Sequence, residues 1–236
     1  MGVAFLIVML ICFIPFHYPE DGWKPAGWTP PAAAAAGKAD FNMGEMAKTT
    51  SFLGLFLCYT IGCLAGLMAI GISAPVAQEI IKIPAATAAT LVGVFAIFNG
   101  VGRPLFGVLT DKLSPKMAAV ISFVLVLVCS LGMLTAGEGS VMMYVLCFIG
   151  FWLVLGGWLA IAPTATTTYF GVKNYARNYG LVFFAYGVGA ILGGIISGAA
   201  KDTFGSYAIA FYPTAGLAVL GMLIAFTMLK SPVKKA

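Results

Sequence analysis

Arg103 is the residue of this sequence whose type and position most directly suggest a chemical function. It lies in the stretch 99–112, which reads NGVGRPLFGVLTDK, and no carboxylate follows it before Asp111. On a helix, Asn99 four residues earlier and Gly107 four residues later share its face. A guanidinium is a planar fork of N–H donors that can hold a carboxylate through two parallel hydrogen bonds. The pattern therefore indicates the binding of an anion.

The composition places the chain in a membrane. Of its 236 residues, 61% are hydrophobic and only 9% are charged, which is too apolar for a soluble globule. Crossing about 30 Å of hydrocarbon takes a helix of about 20 apolar residues. Six runs are long enough: 51–74, 85–110, 117–136, 141–164, 179–199 and 207–229. The fold class predicted is all-α and integral to the membrane.

A seventh apolar run covers residues 1–16, and a long polar stretch follows it over 17–50. The run has no basic residue before it and no small-residue cleavage site, so it does not match a secretory signal. We interpret 1–16 as the end of a truncated transmembrane helix. The stretch 17–50 shows neither helical nor strand periodicity and predicts a linker. A six-helix bundle over 51–230 and a short tail over 231–236 complete the predicted organisation.

The basic residues predict the orientation, because Lys and Arg in short loops are retained in the cytoplasm. With the linker inside, only Lys82 and Lys201 fall on the far side, and Arg103 alone lies in a span. The other ten of the thirteen basic residues are cytoplasmic: Lys24, Lys38, Lys48, Lys112, Lys116, Lys173, Arg177, Lys230, Lys234 and Lys235. We therefore predict a multi-pass protein of the inner (plasma) membrane with a cytoplasmic linker and C-terminus. The net charge of +5 follows from this topology, and no nucleic-acid partner is predicted.

Arg103 has two interpretations at this point. A guanidinium inside a membrane costs a few kcal/mol on insertion scales, and such residues usually face a protein interior or an aqueous cavity. Its counter-charge then comes either from another part of the protein or from an anionic ligand. The alternative is that Arg103 snorkels to the interface or bonds to helix carbonyls.

Few other residues could support catalysis. None of the six runs contains Asp or Glu, His17 is the single histidine, and the five cysteines form no CxxC or Cys/His cluster. Metal binding and acid-base catalysis both need such groups close together. We predict no enzyme activity, no metal and no cofactor.

The residues after Arg103 carry a second pattern. The stretch 107–116, GVLTDKLSPK, places Gly107, Asp111 and Lys112 in a turn between two spans. It resembles the cytoplasmic loop motif of the major facilitator superfamily, in which a glycine, an aspartate and basic residues lock neighbouring helices. The dipeptide Ser-Pro at 114–115 stands where glycine and arginine are usual. The resemblance implies a gate formed by Gly107, Asp111 and Lys112.

Four stretches together resemble the oxalate/formate antiporter family within that superfamily. They are WKPAGWTPP at 23–31, GCLAGLMAIGISAP at 62–75, NGVGRPLFGVLTDK at 99–112 and YFGVKNYARNYGLVFFAYGVGAILG at 169–193. The resemblance covers nearly the whole chain. It implies the carboxyl-terminal half of a twelve-helix transporter, from the end of helix six to helix twelve. The implied partners are a missing amino-terminal six-helix half, the lipid bilayer and a small anionic carboxylate.

The resemblance also implies roles for single residues. Arg103 matches an eighth-helix arginine that binds the substrate carboxylate, whereas Tyr186 stands where the oxalate antiporters carry an eleventh-helix lysine. One arginine and one phenol suit a single carboxylate better than a dianion. Phe183 is three residues from Tyr186 and shares its face. Trp152 and Trp158 on the tenth helix are about 600° apart, so at most one of them faces the cavity.

These observations give one hypothesis and two alternatives. The hypothesis is half of a secondary transporter that moves monocarboxylates such as formate, pyruvate or lactate by alternating access, either in exchange or coupled to an ion. Arg103 would bind the carboxylate, and Tyr186 and Asn99 would orient it. The alternatives are an oxalate/formate antiporter proper, and a half-transporter that makes no flux and associates with a partner.

Overall fold

Six long helices joined by short connections form most of the described structure. The computed structural model describes residues 2–15, 23, 26–27 and 40–232. In chain order the helices are α1 (Gly2–Phe13), α2 (Met43–Ala47), α3 (Thr50–Glu79), α4 (Ala85–Lys112), α5 (Pro115–Thr135), α6 (Val141–Phe170), α7 (Tyr175–Phe204), a 3-10 helix (Tyr207–Ala210) and α8 (Phe211–Met228). The described residues contain no strand.

The helices α3 to α8 confirm the predicted fold class. Each of the six predicted spans corresponds to one of these helices, and all six are long and apolar enough to cross a membrane. The three longest, α3, α6 and α7, have 30 residues each and are therefore about 45 Å long. Since the hydrocarbon core is about 30 Å thick, their ends extend beyond it into the polar interface.

The chain divides into two units, Met1–Gly37 and Lys38–Ala236. In the first unit, the side chains of α1 are exposed along its whole length. Most of the predicted linker over 17–50 lies outside the described residues, as do residues 233–236 of the predicted tail. The described end of the linker contains α2, a short helix that the sequence pattern did not predict. Asn42 caps it, and Glu45 completes the reciprocal capping box.

The core of the second unit lies around α3 and α6. These two helices are mostly buried, whereas α4 and α7 are mostly exposed. Helix α4 packs chiefly against α6, and α7 packs chiefly against α3. Each of the two outer helices therefore has one packed face and one open face, and the open faces are available to line a cavity or to meet another helix.

Glycines bring these helix pairs close together. A Cβ atom added to Gly156 of α6 would collide with the carbonyl oxygen of Asn99 on α4. On α7, a Cβ at Gly189 would lie 2.7 Å from the Thr60 carbonyl of α3, and one at Gly193 would lie 2.9 Å from the Leu64 carbonyl. Small residues allow such close approach of helix backbones within a membrane, where packing is the main source of attraction.

The end of the bundle at which α3 begins, called here the linker end, is held by hydrogen bonds from the α6–α7 connection. The Phe41 N–H donates to the Phe170 carbonyl at 3.0 Å. The side-chain amides of Asn174 and Asn178 both donate to the Phe41 carbonyl, at 3.1 and 3.0 Å. The Lys173 N–H donates to an Asp40 carboxylate oxygen at 3.1 Å. These contacts attach the end of the linker to the first turn of α7.

An ion pair joins two helices at the opposite end. The ammonium group of Lys201 on α7 pairs with the carboxylate of Glu79 at the end of α3. The same ammonium lies over the Tyr207 ring, 5.3 Å from its centroid. Both side chains of the pair are substantially exposed, so we expect it to contribute little to stability.

We predict that Gly156→Ala destabilises the bundle whereas Gly216→Ala does not. The added methyl at position 156 would force α4 away from α6, and such overpacking typically costs 1–3 kcal/mol. A Cβ at Gly216 of α8 meets nothing within 4 Å, which makes it a matched control within a helix. The measurement is the thermal unfolding midpoint of the purified chain in detergent. Equal midpoints for the two variants would contradict the close α4–α6 contact.

Candidate functional site

Arg103 lies on the open face of α4, about two and a half turns from the C-terminal end of the helix. Its side chain is exposed, and among residues 40–232 it has no hydrogen bond and no ion pair. It therefore does not bond to helix carbonyls within that range. Gly107, one turn farther along, also has open space where a Cβ would stand. The guanidinium is free to bind an anion on this face.

Tyr186 is the α7 residue that the resemblance proposes as a partner of Arg103. Its side chain is half-buried. The two residues belong to different helices, α4 and α7. That both contact one ligand stays a prediction.

A row of stacked rings runs along α7 from the linker end. It consists of Tyr175, Tyr179, Phe183 and Tyr186, and its successive centroids are 5.5, 5.7 and 5.3 Å apart. Phe183 and Tyr186 are almost parallel, with an interplanar angle of 6°. The prediction that these two rings share a face is confirmed. Tyr175 and Tyr179 were not predicted, although their spacing of four residues was visible in the sequence.

Tyr59 of α3 connects this aromatic row to the core. Its ring lies 6.3 Å from Phe183 and 6.5 Å from Tyr186, and it stacks on Trp158 at 5.8 Å. The hydroxyl of Tyr59 and the indole N–H of Trp158 are both buried and lack a hydrogen bond of good geometry, although Tyr179 and Cys63 are polar neighbours of Tyr59. Buried donors without a partner cost about 1–3 kcal/mol each, so these two groups mark a place where a ligand or water would be stabilised.

The two tryptophans and Asn99 do not line the open face. Trp158 is fully buried and reaches the site only through Tyr59. Trp152 is buried as well, and its indole N–H donates to the Ser73 hydroxyl at 3.3 Å. The side-chain amide of Asn99 donates to the Trp152 carbonyl at 3.4 Å. Asn99 therefore holds α4 against α6, which differs from the predicted polar face of Asn99, Arg103 and Gly107.

A concavity of about 300 Å³ lies on the open face of α7. It is lined by Gly180, Phe183, Phe184, Tyr186 and Gly187. The two glycines carry no side chain and leave the rings of Phe183 and Tyr186 accessible between them. The concavity is mostly apolar, so the charge needed to hold an anion has to come from residues outside its lining.

The predicted gate residues lie at the linker end of α4. Asp111 and Lys112 occupy its last turn, and both are exposed. Within the described ranges neither takes part in an ion pair. Ser114 caps the next helix, α5, and its φ of 148° and ψ of 160° fall in a region that essentially only glycine adopts. Serine therefore occupies a position whose backbone conformation favours glycine, the residue that is usual in the motif.

Metal ligation finds no support in residues 2–15 and 40–232. No group of three His, Cys, Asp or Glu side chains in this part of the chain could hold an ion. The described residues offer one exposed guanidinium on α4 and the phenols of the aromatic row on α7, which are groups that can bind an anion.

A family model described as Major Facilitator Superfamily matches the chain over residues 1–164 and 55–236. The chain is also 30% identical to the oxalate:formate antiporter of Oxalobacter formigenes over 234 residues, which are 98% of this chain and 54% of the antiporter. The chain thus spans about half the length of that relative.

Two further relatives match shorter segments. An uncharacterized MFS-type transporter of Escherichia coli (strain K12), YhjX, is 28% identical over 153 residues, which are 64% of this chain and 38% of that protein. Monocarboxylate transporter 9 of Rattus norvegicus is 30% identical over 136 residues, which are 57% of this chain and 26% of that protein.

We predict that Ser114→Gly stabilises the chain by about 1 kcal/mol. Glycine would remove the backbone strain of about 1–3 kcal/mol, while losing the Ser114 cap of the Met117 N–H costs only a few tenths. The control is Ser140→Gly, at another serine that precedes a helix but has a φ of −76°. We expect this control to be neutral or destabilising. Chemical or thermal unfolding in detergent tests both, and a loss of stability in Ser114→Gly would contradict the strain.

Proposed function

Because the chain belongs to the Major Facilitator Superfamily, we propose that it forms one wall of a secondary transporter for small carboxylates. The names of two relatives support this substrate class, since one is an oxalate:formate antiporter and another is a monocarboxylate transporter. Because the chain spans 54% of the antiporter, we assign the opposite wall of the cavity to a second six-helix unit.

The single observation that carries this proposal is the position of Arg103. It lies on the exposed part of α4, without an ion pair among residues 40–232. A guanidinium within a membrane protein is stabilised by an anion, and the bidentate geometry of Arg suits a carboxylate. The ligand carboxylate would supply the missing counter-charge.

Tyr186 and its neighbours would select the size and charge of the ligand. The Tyr186 hydroxyl can donate one hydrogen bond to the carboxylate and carries no charge at neutral pH. Phe183 stacks on Tyr186 and would form the apolar wall beside it. One cation and one neutral donor favour a monocarboxylate such as formate, pyruvate or lactate over a dianion. The buried hydroxyl of Tyr59, beside the aromatic row, is a candidate second donor.

Transport would proceed by alternating access, in which two six-helix units rock around a site between them. Closing the cavity over an empty guanidinium would bury an unpaired charge, whereas closing it over a bound carboxylate would not. This difference supports exchange of one carboxylate for another. Gly107, Asp111 and Lys112 at the linker end would contact the second unit when that end is closed.

The distribution of basic residues supports a cytoplasmic position for the linker end. The connections and termini assigned to that end carry ten of the thirteen Lys and Arg residues, and the opposite end carries Lys82 and Lys201. We therefore propose a protein of the inner (plasma) membrane with the linker and C-terminus in the cytoplasm.

We predict that Arg103→Gln abolishes carboxylate transport. Glutamine keeps a polar side chain but loses the charge and the bidentate fork, a loss of about 2 kcal/mol or more, or at least thirtyfold in uptake. The matched control is Arg177→Gln, an exposed arginine of the first turn of α7 at the linker end. Uptake of formate, pyruvate and oxalate is measured with the full-length gene product in liposomes. Wild-type uptake by the inserted Arg103→Gln protein would overturn the proposal.

A second prediction concerns selectivity. Tyr186→Lys would place a second cation near Arg103, so the ratio of oxalate to formate uptake should rise by about tenfold or more, since a close charged pair is worth about 1.5 kcal/mol or more. Tyr186→Phe removes the hydroxyl without adding charge and should lower uptake of both substrates alike. The ratio is measured by competition in the same liposomes. An unchanged ratio in Tyr186→Lys would show that Tyr186 does not contact the ligand.

A further inference from the structure

A second cavity lies at the linker end. It has a volume of about 800 Å³ and is bounded by the residues that precede α3, the first turn of α3 and the end of α8. Small-molecule sites are usually of this size, about 300–1,000 Å³. Its described polar lining includes two lysines and five hydroxyl groups, from Lys48, Lys230, Thr49, Thr50, Ser51, Thr227 and Ser231.

Its floor is fixed by direct contacts between α3 and α8. The Ser51 hydroxyl donates to the Lys230 carbonyl at 2.6 Å, which ties the residues after α8 to the first turn of α3. Gly54 allows the backbone of α3 to approach Met228, because an added Cβ would lie 2.6 Å from the Met228 Cβ. The lysine side chains therefore extend from a backbone whose relative position is set by packing.

The lining has polar groups available for an anion. Lys48 and Lys230 are exposed, and neither forms an ion pair within residues 40–232. In the same range the hydroxyls of Thr50 and Ser231 have no hydrogen bond, so both can donate. The one carboxylate of the lining belongs to Glu45, which accepts the Asn42 N–H in the capping box at 2.8 Å.

Exposed apolar side chains continue the cavity toward the middle of the bundle. Leu53 follows Thr50 by three residues on α3 and is 49% exposed. Leu223 precedes Thr227 by four residues on α8 and is 58% exposed. Residues three or four apart share a helix face, so the polar lining passes directly into an apolar surface along both helices. A ligand with an anionic head and hydrocarbon chains matches this order of surfaces, whereas a soluble anion would use only the polar part.

We propose that this cavity binds the phosphate of an anionic phospholipid of the surrounding leaflet. The two ammonium groups and the free hydroxyls would hold the phosphate oxygens, and the acyl chains would lie along Leu53 and Leu223. Basic pockets at membrane-helix ends recognise anionic headgroups in this way. The bound lipid would connect α3 to α8 at a point separate from the Arg103 site.

The test measures phosphatidylglycerol binding to the purified chain in mixed micelles by native mass spectrometry. The double variant Lys48→Gln/Lys230→Gln should lower the affinity by about tenfold to thirtyfold. Glu45→Gln keeps a capping-box partner at that position but removes the negative charge, so it should raise the affinity. The control is Lys173→Gln/Arg177→Gln, which removes two charges at the same end of the bundle but outside the cavity lining.

Two further ligands are measured in the same experiment, to distinguish an anionic lipid from a neutral lipid and from a soluble anion. Phosphatidylcholine should bind weakly and equally to all variants, and inorganic phosphate at millimolar concentration should not bind. An equal loss of phosphatidylglycerol in the control pair would show a general charge effect and overturn the site. Binding of inorganic phosphate as tight as that of the lipid would overturn a lipid site in favour of a soluble anion. Unchanged thermal unfolding of the variants verifies that their fold is intact.

Discussion

The free energy of placing one guanidinium within a membrane helix is the constraint on which the rest of this structure depends. Arg103 has no ion pair among residues 40–232, and no acidic residue lies in any predicted span to supply one. Charged residues within membrane helices usually face a protein interior or an aqueous cavity. Helix α4 satisfies the constraint by dividing its surface, with Phe95, Gly102 and Phe106 buried toward α6 and Arg103 beside them on the exposed part of the helix.

The packed side of α4 is as important as the open side. The side-chain amide of Asn99 bonds to a carbonyl of α6, and Gly156 lets the two backbones approach closely. These contacts fix the rotation of α4 about its axis and hence the direction of Arg103. The tryptophans of α6 have a similar role, since Trp152 bonds to Ser73 and Trp158 stacks on Tyr59. Both tryptophans are buried, so they pack beneath the exposed faces of the helices and do not line a cavity.

Two different kinds of contact operate at the linker end. Backbone and amide hydrogen bonds around Phe41 attach the linker to the start of α7, and Ser51 ties α3 to the residues after α8. Between α4 and α5, in contrast, Asp111 and Lys112 are exposed and Ser114 is strained. The first group is suited to a fixed scaffold. The second group is suited to a part of the molecule that changes its contacts, because unpaired charges and stored strain favour rearrangement.

The sequence by itself determined the membrane class, the six helices and the residue types available for binding. Composition and run length are sufficient for this, since each span must satisfy its own backbone hydrogen bonds and must cover the same hydrocarbon thickness. The pair of Phe183 and Tyr186 was recognisable because helical spacing places residues three apart on one face, and Arg103 was recognisable as the one basic residue within a predicted span. The short helix α2 was not recognisable from the sequence, because its five residues are too few to show a helical period.

Only the tertiary structure decided which faces meet. The rotations of α3, α4 and α6 about their axes decide three features of the site. Tyr59 packs against the aromatic row, Asn99 turns toward α6, and both tryptophans lie in the interior. In a chain that is apolar on every side, the hydrophobic pattern does not distinguish a lipid-facing surface from a packed one. Side-chain shape, glycine contacts and a few hydrogen bonds set those rotations, and they form only when the helices are assembled.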